Sequence, residues 1–263
     1  MPIQSSIAIT PISTEDFRLI DYKVMGQMYA SQNELGRLAD EQVYRADVAH
    51  RLTEMGLACE QEVPVNLSYS SFSKTLYLDL VVDQKAVYEL KTVSALNFSH
   101  EAQLISYLYL LDLSRGKLVN FRSSTVESKY VNTPISREAR RRFEVNSREY
   151  SGNMEFLQMV VNLVREWGTS LSLSLYHQAL VHLLGGVDIV ERMIPLDRNG
   201  HPLTNQRFHL VDSNSAFVLT AFSNPSHDYS AQIKPLLQLS PLHQVHWINF
   251  SMDELFFHTI KRT

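Results

Sequence analysis

The sequence contains 263 residues, of which 44% are hydrophobic and 20% are charged, and its formal net charge is −4. This balance is ordinary for a globular protein and argues against a surface that binds nucleic acid everywhere, although a local basic patch stays open. Cys59 is the only cysteine, which excludes an intrachain disulfide and zinc sites built from cysteines.

The hydrophobic pattern of the first half predicts alternating helices and strands. Apolar residues at helical spacing predict helices over 15–29, 40–55 and 99–113. Extended segments are predicted over 62–67, 75–82, 86–93 and 117–121. Gly36 separates the first two helices, Gly56 ends the second, and residues 83–85 form the turn of a hairpin.

The middle of the chain is charged. Residues 136–143 read SREARRRF and predict a linker helix. Its arginines could contact phosphates, but a charge run in a linker is more often a solvated face. We expect a first domain over 1–135, a linker over 136–147 and a second domain over 148–263.

The second half of the sequence repeats parts of the first half. At an offset of 132 residues the matched pairs are Gly36/Gly168, Tyr44/Tyr176 and His50/His182. At 131 Pro64 matches Pro195, and at 129 the pairs are Gln103/Gln232, Asn120/Asn249 and Phe121/Phe250. A duplication followed by a few single-residue deletions accounts for the shrinking offset. It predicts two similar α/β units arranged as an internal pseudo-dimer, with a further homo-oligomer left open.

The start of the chain lacks the basic and long apolar segments of a secretory signal. No apolar stretch reaches the length needed to span a bilayer. We therefore expect a cytoplasmic protein without a membrane partner.

Two acidic residues face each other across the predicted hairpin. With the turn at 83–85, paired residue numbers sum to 168, so Asp79 faces Glu89, and Lys91 points to the same side. Opposed carboxylates repel unless a cation or a proton lies between them. Oxygen ligands with no histidine or cysteine nearby suit Mg²⁺ or Mn²⁺. From these three residues alone, a solvated hairpin face is the more frequent explanation.

The surrounding segments favour a metal site over a solvated hairpin face. VMGQMYASQNELGRLADEQVY, YLDLVVDQKAVYELKTV, HEAQLISYLYLL and LVNF together resemble the GxxExxY family of the PD-(D/E)XK nuclease superfamily, over about residues 16–133. The resemblance implies a restriction-endonuclease-like α/β fold, with a mixed sheet flanked by helices. It also implies that Asp79, Glu89 and the backbone carbonyl of Leu90 bind the metal, and that Lys91 helps to organise the attacking water.

The same resemblance marks residues on two helices. Glu41 and Tyr44 match one motif, Gln103 and Tyr107 match another, and each pair shares a helix face. It implies roles in the site for Glu41, Gln103 and Tyr107. The alternative for Gln103 is to cap a sheet edge, and the alternative for the two tyrosines is core or hydrogen-bond support. The glycine that opens the family motif is replaced by Leu38, which affects the local turn rather than the metal site.

The second half lacks this set of residues. At an offset of 130, His209, Leu219 and Ala221 take the places of Asp79, Glu89 and Lys91. Leu173 and Leu236 take the places of Glu41 and Tyr107. We therefore expect an inactive copy. Its histidines lack the paired helical spacing of a zinc site, so we expect no zinc.

The leading hypothesis is a Mg²⁺- or Mn²⁺-dependent nuclease that hydrolyses DNA or RNA, with an active first copy and an inactive second copy. Two alternatives stay open. One is a non-catalytic subunit that keeps the fold for nucleic-acid binding or assembly. The other is an enzyme of the same fold with a different substrate.

Overall fold

The computed structural model describes residues 3–262. The chain divides into two compact units. The first comprises residues up to Ser68 together with Ser73–Arg137, and the second comprises Tyr69–Phe72 and the residues from Glu138 onward. Each unit contains a six-stranded sheet with both parallel and antiparallel neighbours, flanked by helices. The predicted α/β class is therefore confirmed.

The first unit follows the predicted order of helices and strands. Its helices are α1 (Thr14–Leu35), α2 (Glu41–Glu54) and α3 (Phe98–Leu111). Its strands are β1 (Ile3–Ser5), β2 (Cys59–Tyr69), β3 (Phe72–Val82), β4 (Ala86–Lys91), β5 (Arg115–Asn120) and β6 (Glu127–Asn132). The sequence pattern does not predict β1 or β6. β6 reads ESKYVN and buries only Val131, so it carries no clear hydrophobic pattern.

The strands lie side by side in chain order, β1 to β6. β4 and β5 run parallel, and α3 makes the crossover that a parallel pair requires. β3 and β4 form the predicted hairpin, and the pairs Leu80–Tyr88 and Val82–Ala86 confirm the predicted sum of 168. The Lys85 N–H donates to the Val82 carbonyl at 3.0 Å, and the two residues between them, Asp83 and Gln84, both have the positive φ of a type I′ turn.

The core of the first unit lies between α1, α2 and one face of the sheet. It contains Phe17, Val24, Met28, Tyr44, Val48, Leu52, Leu80, Val82, Tyr88, Leu90, Val119 and Phe121. Because side chains alternate along a strand, Asp79, Glu89 and Lys91 project from the opposite face. The fold thus separates the candidate site from this core.

The second unit opens with α4 (Arg137–Arg140), whose first residue still belongs to the first unit. Its other helices are α5 (Met154–Trp167), α6 (Leu173–Leu183), α7 (Val187–Val190) and α8 (His227–Leu239). Its strands are β7 (Glu144–Glu149), β8 (Glu191–Arg198), β9 (His201–Leu210), β10 (Ser215–Thr220), β11 (Gln244–Phe250) and β12 (Glu254–Lys261). No helix within residues 3–262 is both long and apolar enough to cross a membrane.

Five strands of the second unit lie in the same order as five strands of the first, although the second unit also contains the short helices α4 and α7. Strands β8 to β12 are neighbours in chain order, as β2 to β6 are, and β10 runs parallel to β11 across α8. The sixth strand differs. β1 pairs with β2 at one edge of the first sheet, whereas β7 pairs with β12 at the opposite edge of the second sheet.

The expected linker is more structured than its charge suggests. Residues 144–149 form β7, so part of the segment 136–147 belongs to the second sheet. Arg140 is fully buried and donates from Nη1 to the carbonyls of Trp167 and Thr169, at 3.2 and 2.8 Å. The expectation of a solvated charged face is wrong for this residue, because its guanidinium binds carbonyls at the end of α5.

Matched residue pairs make the same contacts in both units. The Tyr44 hydroxyl donates to the Gly36 carbonyl at 2.6 Å, and the Tyr176 hydroxyl donates to the Gly168 carbonyl. Each glycine directly follows a helix and has a positive φ, a backbone conformation that is unfavourable for residues with a side chain. The hydroxyl of Tyr44 is thus engaged in support of a helix end.

Two further pairs of contacts correspond. The ring of Tyr44 stacks on Phe121 at 4.3 Å between ring centroids, and the ring of Tyr176 stacks on Phe250 at 4.7 Å. The side-chain amide of Asn120 forms hydrogen bonds with the backbone N–H and carbonyl of Val93. The side-chain amide of Asn249 does the same with the backbone N–H and carbonyl of Phe222. The sequence offsets of 132 and 129 therefore link residues with equal roles.

Candidate active site

The candidate site forms where β3 and β4 separate. Their backbone pairing ends at Leu80 and Tyr88. Beyond this pair, the N–H of Leu90 on β4 donates to the Asp79 side chain, at Oδ2, at 2.8 Å. The Asp79 carboxylate thus takes the place of a backbone acceptor. This bond fixes Asp79 beside the strand that carries Glu89 and Lys91.

Lys91 connects the acidic residues. Its Nζ lies 2.7 Å from Glu89 Oε1, 3.9 Å from Glu41 Oε2 and 4.0 Å from Asp79 Oδ2. Glu41 reaches this point from the first turn of α2. The structure therefore brings together the four charged residues that the sequence singles out.

Burial makes Glu89 the most perturbed group of the site. Its side chain is 1% exposed, and Oε2 has no hydrogen-bond partner among the described residues. Burial and the nearby Asp79 raise the pKa of Glu89 to about 8, although Lys91 opposes the shift. Near neutral pH, Glu89 is therefore mostly protonated.

The pKa values of Asp79, Glu41 and Lys91 are also raised. Burial raises the pKa of Asp79, and the Leu90 N–H partly offsets this. Burial also raises the pKa of Glu41, against the pull of Lys91. For Lys91, burial lowers the pKa, but the surrounding carboxylates outweigh it and the net shift is upward. Lys91 is therefore the stable positive charge of the cluster.

Gln103 and Tyr107 lie one helical turn apart on α3. Gln103 Nε2 donates to the Tyr107 hydroxyl at 3.1 Å. Burial raises the pKa of Tyr107, and the charges of Glu89 and Asp79 add to the shift. Tyr107 therefore lies within electrostatic range of the carboxylates, and Gln103 orients its hydroxyl.

Two residues of the site are absent from the sequence-based prediction. Arg45 Nη1 lies 3.5 Å from Asp79 Oδ1, and its Nη2 lies 2.7 Å from Glu62 Oε1. Arg45 follows Glu41 by four residues, and this shared helix face was an available signal. Glu62 lies inside β2 with a φ of 48°, and nothing in the local sequence indicates that conformation.

The donor set suits a hard divalent cation. Asp79, Glu89 and the Leu90 carbonyl offer oxygen ligands only, and the unpaired Oε2 of Glu89 is a buried acceptor. Within residues 3–262, no three His, Cys, Asp or Glu side chains are placed to hold a metal ion together. The predicted set has two side-chain ligands and one carbonyl, so it does not depend on such a triplet.

The second unit has uncharged residues at the matching positions. Lys91 pairs with Asn120 across β4 and β5, and Thr220 pairs with Asn249 across β10 and β11. Asn120 and Asn249 make matching contacts, and aligning these two residues gives an offset of 129 through these strands instead of 130. With this offset, Phe208 matches Asp79, Val218 matches Glu89 and Thr220 matches Lys91.

This shift corrects the expected equivalents His209, Leu219 and Ala221 by one residue. In a strand, one residue reverses the face to which a side chain points. Phe208 and Val218 pack in an apolar core with Leu237 of α8. The conclusion that the second unit lacks a carboxylate site at this position is unchanged.

The sequence of the first unit matches a known family model. Residues 18–132, less than half of the chain, match the family model of the PD-(D/E)XK nuclease superfamily. This match supports the resemblance of residues 18–132 to the superfamily, while the GxxExxY family stays a prediction. No curated relative matches the sequence.

One similar solved structure is titled "Crystal structure of SSO0001". It aligns with 47% of this chain at 18% identity and a TM-score of 0.29. The alignment covers 63% of that chain, less than two thirds of its length. At this score the likeness carries no argument about fold or activity.

Proposed function

We propose that this protein is a nuclease that hydrolyses DNA or RNA with Mg²⁺ or Mn²⁺ bound in its first unit. Asp79, Glu89 and the carbonyl of Leu90 would hold the cation. The observation that carries the proposal is the position of Lys91 Nζ within 4.0 Å of three carboxylates. This cluster lies inside the range that matches the nuclease superfamily.

The chemistry divides between the cation and the side chains. When bound, the cation supplies a Lewis acid for the phosphate and lowers the pKa of water. Lys91 stays protonated beside the carboxylates, so it orients the attacking water or neutralises charge that develops on the phosphate. Glu41 holds the Lys91 ammonium from α2. Tyr107, oriented by Gln103, offers a hydroxyl at the edge of the cluster.

The proposal also assigns different roles to the two halves. A duplicated fold, with domains over 1–135 and 148–263, accounts for the shared tyrosine–glycine and asparagine contacts. Only the first copy carries the acidic cluster. The second copy has Phe208, Val218 and Thr220 at the matching positions and would be inactive.

A non-catalytic subunit for nucleic-acid binding or assembly is the second candidate. The ion pairs that Lys91 and Arg45 make with the carboxylates favour it, because they neutralise part of the acidic charge without a metal. The complete set of Asp79, Glu89 and Lys91 favours the enzyme.

A cleavage assay separates the two candidates. The full chain is incubated with single- and double-stranded DNA and RNA, with Mg²⁺, Mn²⁺ or a chelator. We expect cleavage of at least one substrate with a divalent cation and none with the chelator. Binding of these substrates without cleavage under any condition would favour the non-catalytic subunit.

A further inference from the structure

Arg45 lies between two acidic residues at the edge of the site. Its Nη2 contacts Glu62 Oε1 at 2.7 Å with hydrogen-bond geometry, while its Nη1 lies 3.5 Å from Asp79 Oδ1. The side chain of Arg45 is 12% exposed. The contact with Glu62 is therefore the tighter one, and the nitrogen that faces Asp79 is held more loosely.

The backbone of Glu62 is strained. Its φ of 48° is unusual for a residue with a side chain inside a strand, because this backbone conformation is energetically disfavoured for L residues. Residues in these conformations often occur at ligand sites. Here the strained residue supplies the acceptor that fixes the Arg45 guanidinium beside Asp79.

The position of Arg45 opposes a cation at Asp79. Asp79 Oδ2 already accepts from the Leu90 N–H, so Oδ1 is the oxygen that a cation would take. Arg45 Nη1 faces that same oxygen. A divalent ion bound there and the guanidinium repel each other, and their charges compete for one carboxylate.

We propose that Arg45 is a phosphate-binding residue of this site, released from Asp79 when a divalent cation binds. The inference rests on the proposed nuclease function. Glu62 keeps hold of Nη2, so the guanidinium stays at the site while Nη1 turns to a phosphate oxygen of the substrate. A guanidinium suits this task because it has five N–H donors, so Nη1 can bind a phosphate oxygen while Nη2 stays on Glu62.

The test compares the wild type with Arg45→Met and Arg45→Lys. Arg51→Met is the control, since Arg51 is on the same helix but pairs with Glu34 and Asp47. Mn²⁺ binding is measured by calorimetry, KM and kcat are measured for cleavage, and thermal unfolding verifies that each variant is folded.

For Arg45→Met we expect Mn²⁺ affinity to rise about threefold or more, because the competing charge is lost. We expect KM to rise about tenfold, because a charge-assisted contact with phosphate is lost. Arg45→Lys should recover part of the KM, and the control should match the wild type. Unchanged or weaker Mn²⁺ binding, or an unchanged KM, would overturn the inference while leaving the nuclease proposal in place. A wild type that neither binds Mn²⁺ nor cleaves would overturn both.

Discussion

Lys91→Met should reduce nucleic-acid cleavage by about 10²–10³-fold, the loss seen when one group that stabilises charge in a transition state is removed. Lys91 Nζ contacts Glu89 at 2.7 Å and is the cation at the centre of the carboxylates. The variant should still fold, since methionine replaces most of the side-chain volume. Glu89 can also remain protonated, because its pKa is already raised to about 8.

Lys129→Met is the matched control for this variant. Lys129 lies in the same unit and pairs with Glu101, but its side chain is 54% exposed. An exposed pair contributes little to stability, so this variant should cleave within about twofold of the wild type. Initial rates are compared at saturating Mg²⁺ or Mn²⁺. If Lys91→Met keeps more than a tenth of the wild-type rate, Lys91 has no central role in the chemistry.

Glu89→Gln should increase the free energy of unfolding, by about 4 kcal/mol at pH 8 and by about 1 kcal/mol at pH 5. The folded-state pKa of Glu89 is about 8, above its ordinary value of 4.5. Its protonated form is therefore favoured by folding. That stability is fully present below pH 4.5 and is lost as the pH rises through about 8. Glutamine does not titrate, so the variant avoids this loss.

Urea unfolding in the presence of a chelator measures the difference at several pH values from about 5 to about 8. The measurement at the lowest pH serves as the internal control, since Glu89 of the folded protein is then neutral and the pKa difference contributes least. The gap between variant and wild type should widen steadily with pH. A constant gap, or a larger gap at low pH, would show that Glu89 is not a buried carboxyl group with a raised pKa.

The hairpin and its charged residues were predictable because their signals are local. The turn at 83–85 fixes the register, and the register sends Asp79 and Glu89 to one face. The helix spacing of Gln103 and Tyr107 likewise predicts their contact. Such features need only the period of a strand or helix.

Other features depend on tertiary contacts that the sequence does not display. Glu62, which has a φ of 48° within β2, contacts Arg45 of α2, and neither the conformation nor the contact is visible in the local sequence. Arg140 looks like a solvated charge until the carbonyls at the end of α5 surround it. The exposed strand β6 lacks a periodic apolar pattern.

The one-residue error in the second unit has a similar cause. The two halves share too few identical residues around these strands for the sequence alone to fix the offset between them. Only the pairing of Thr220 with Asn249, matched to that of Lys91 with Asn120, fixes the offset at 129.

Mn²⁺ titration by calorimetry tests the central claim most directly. It compares the wild type, Asp79→Asn and Asp83→Asn. Asp83 lies in the turn of the same hairpin with a φ of 52°, a conformation that asparagine tolerates, so its variant is a close control. We expect binding at one site in the wild type and in Asp83→Asn, and none in Asp79→Asn. Equal binding by Asp79→Asn would contradict a metal site at the separation of β3 and β4.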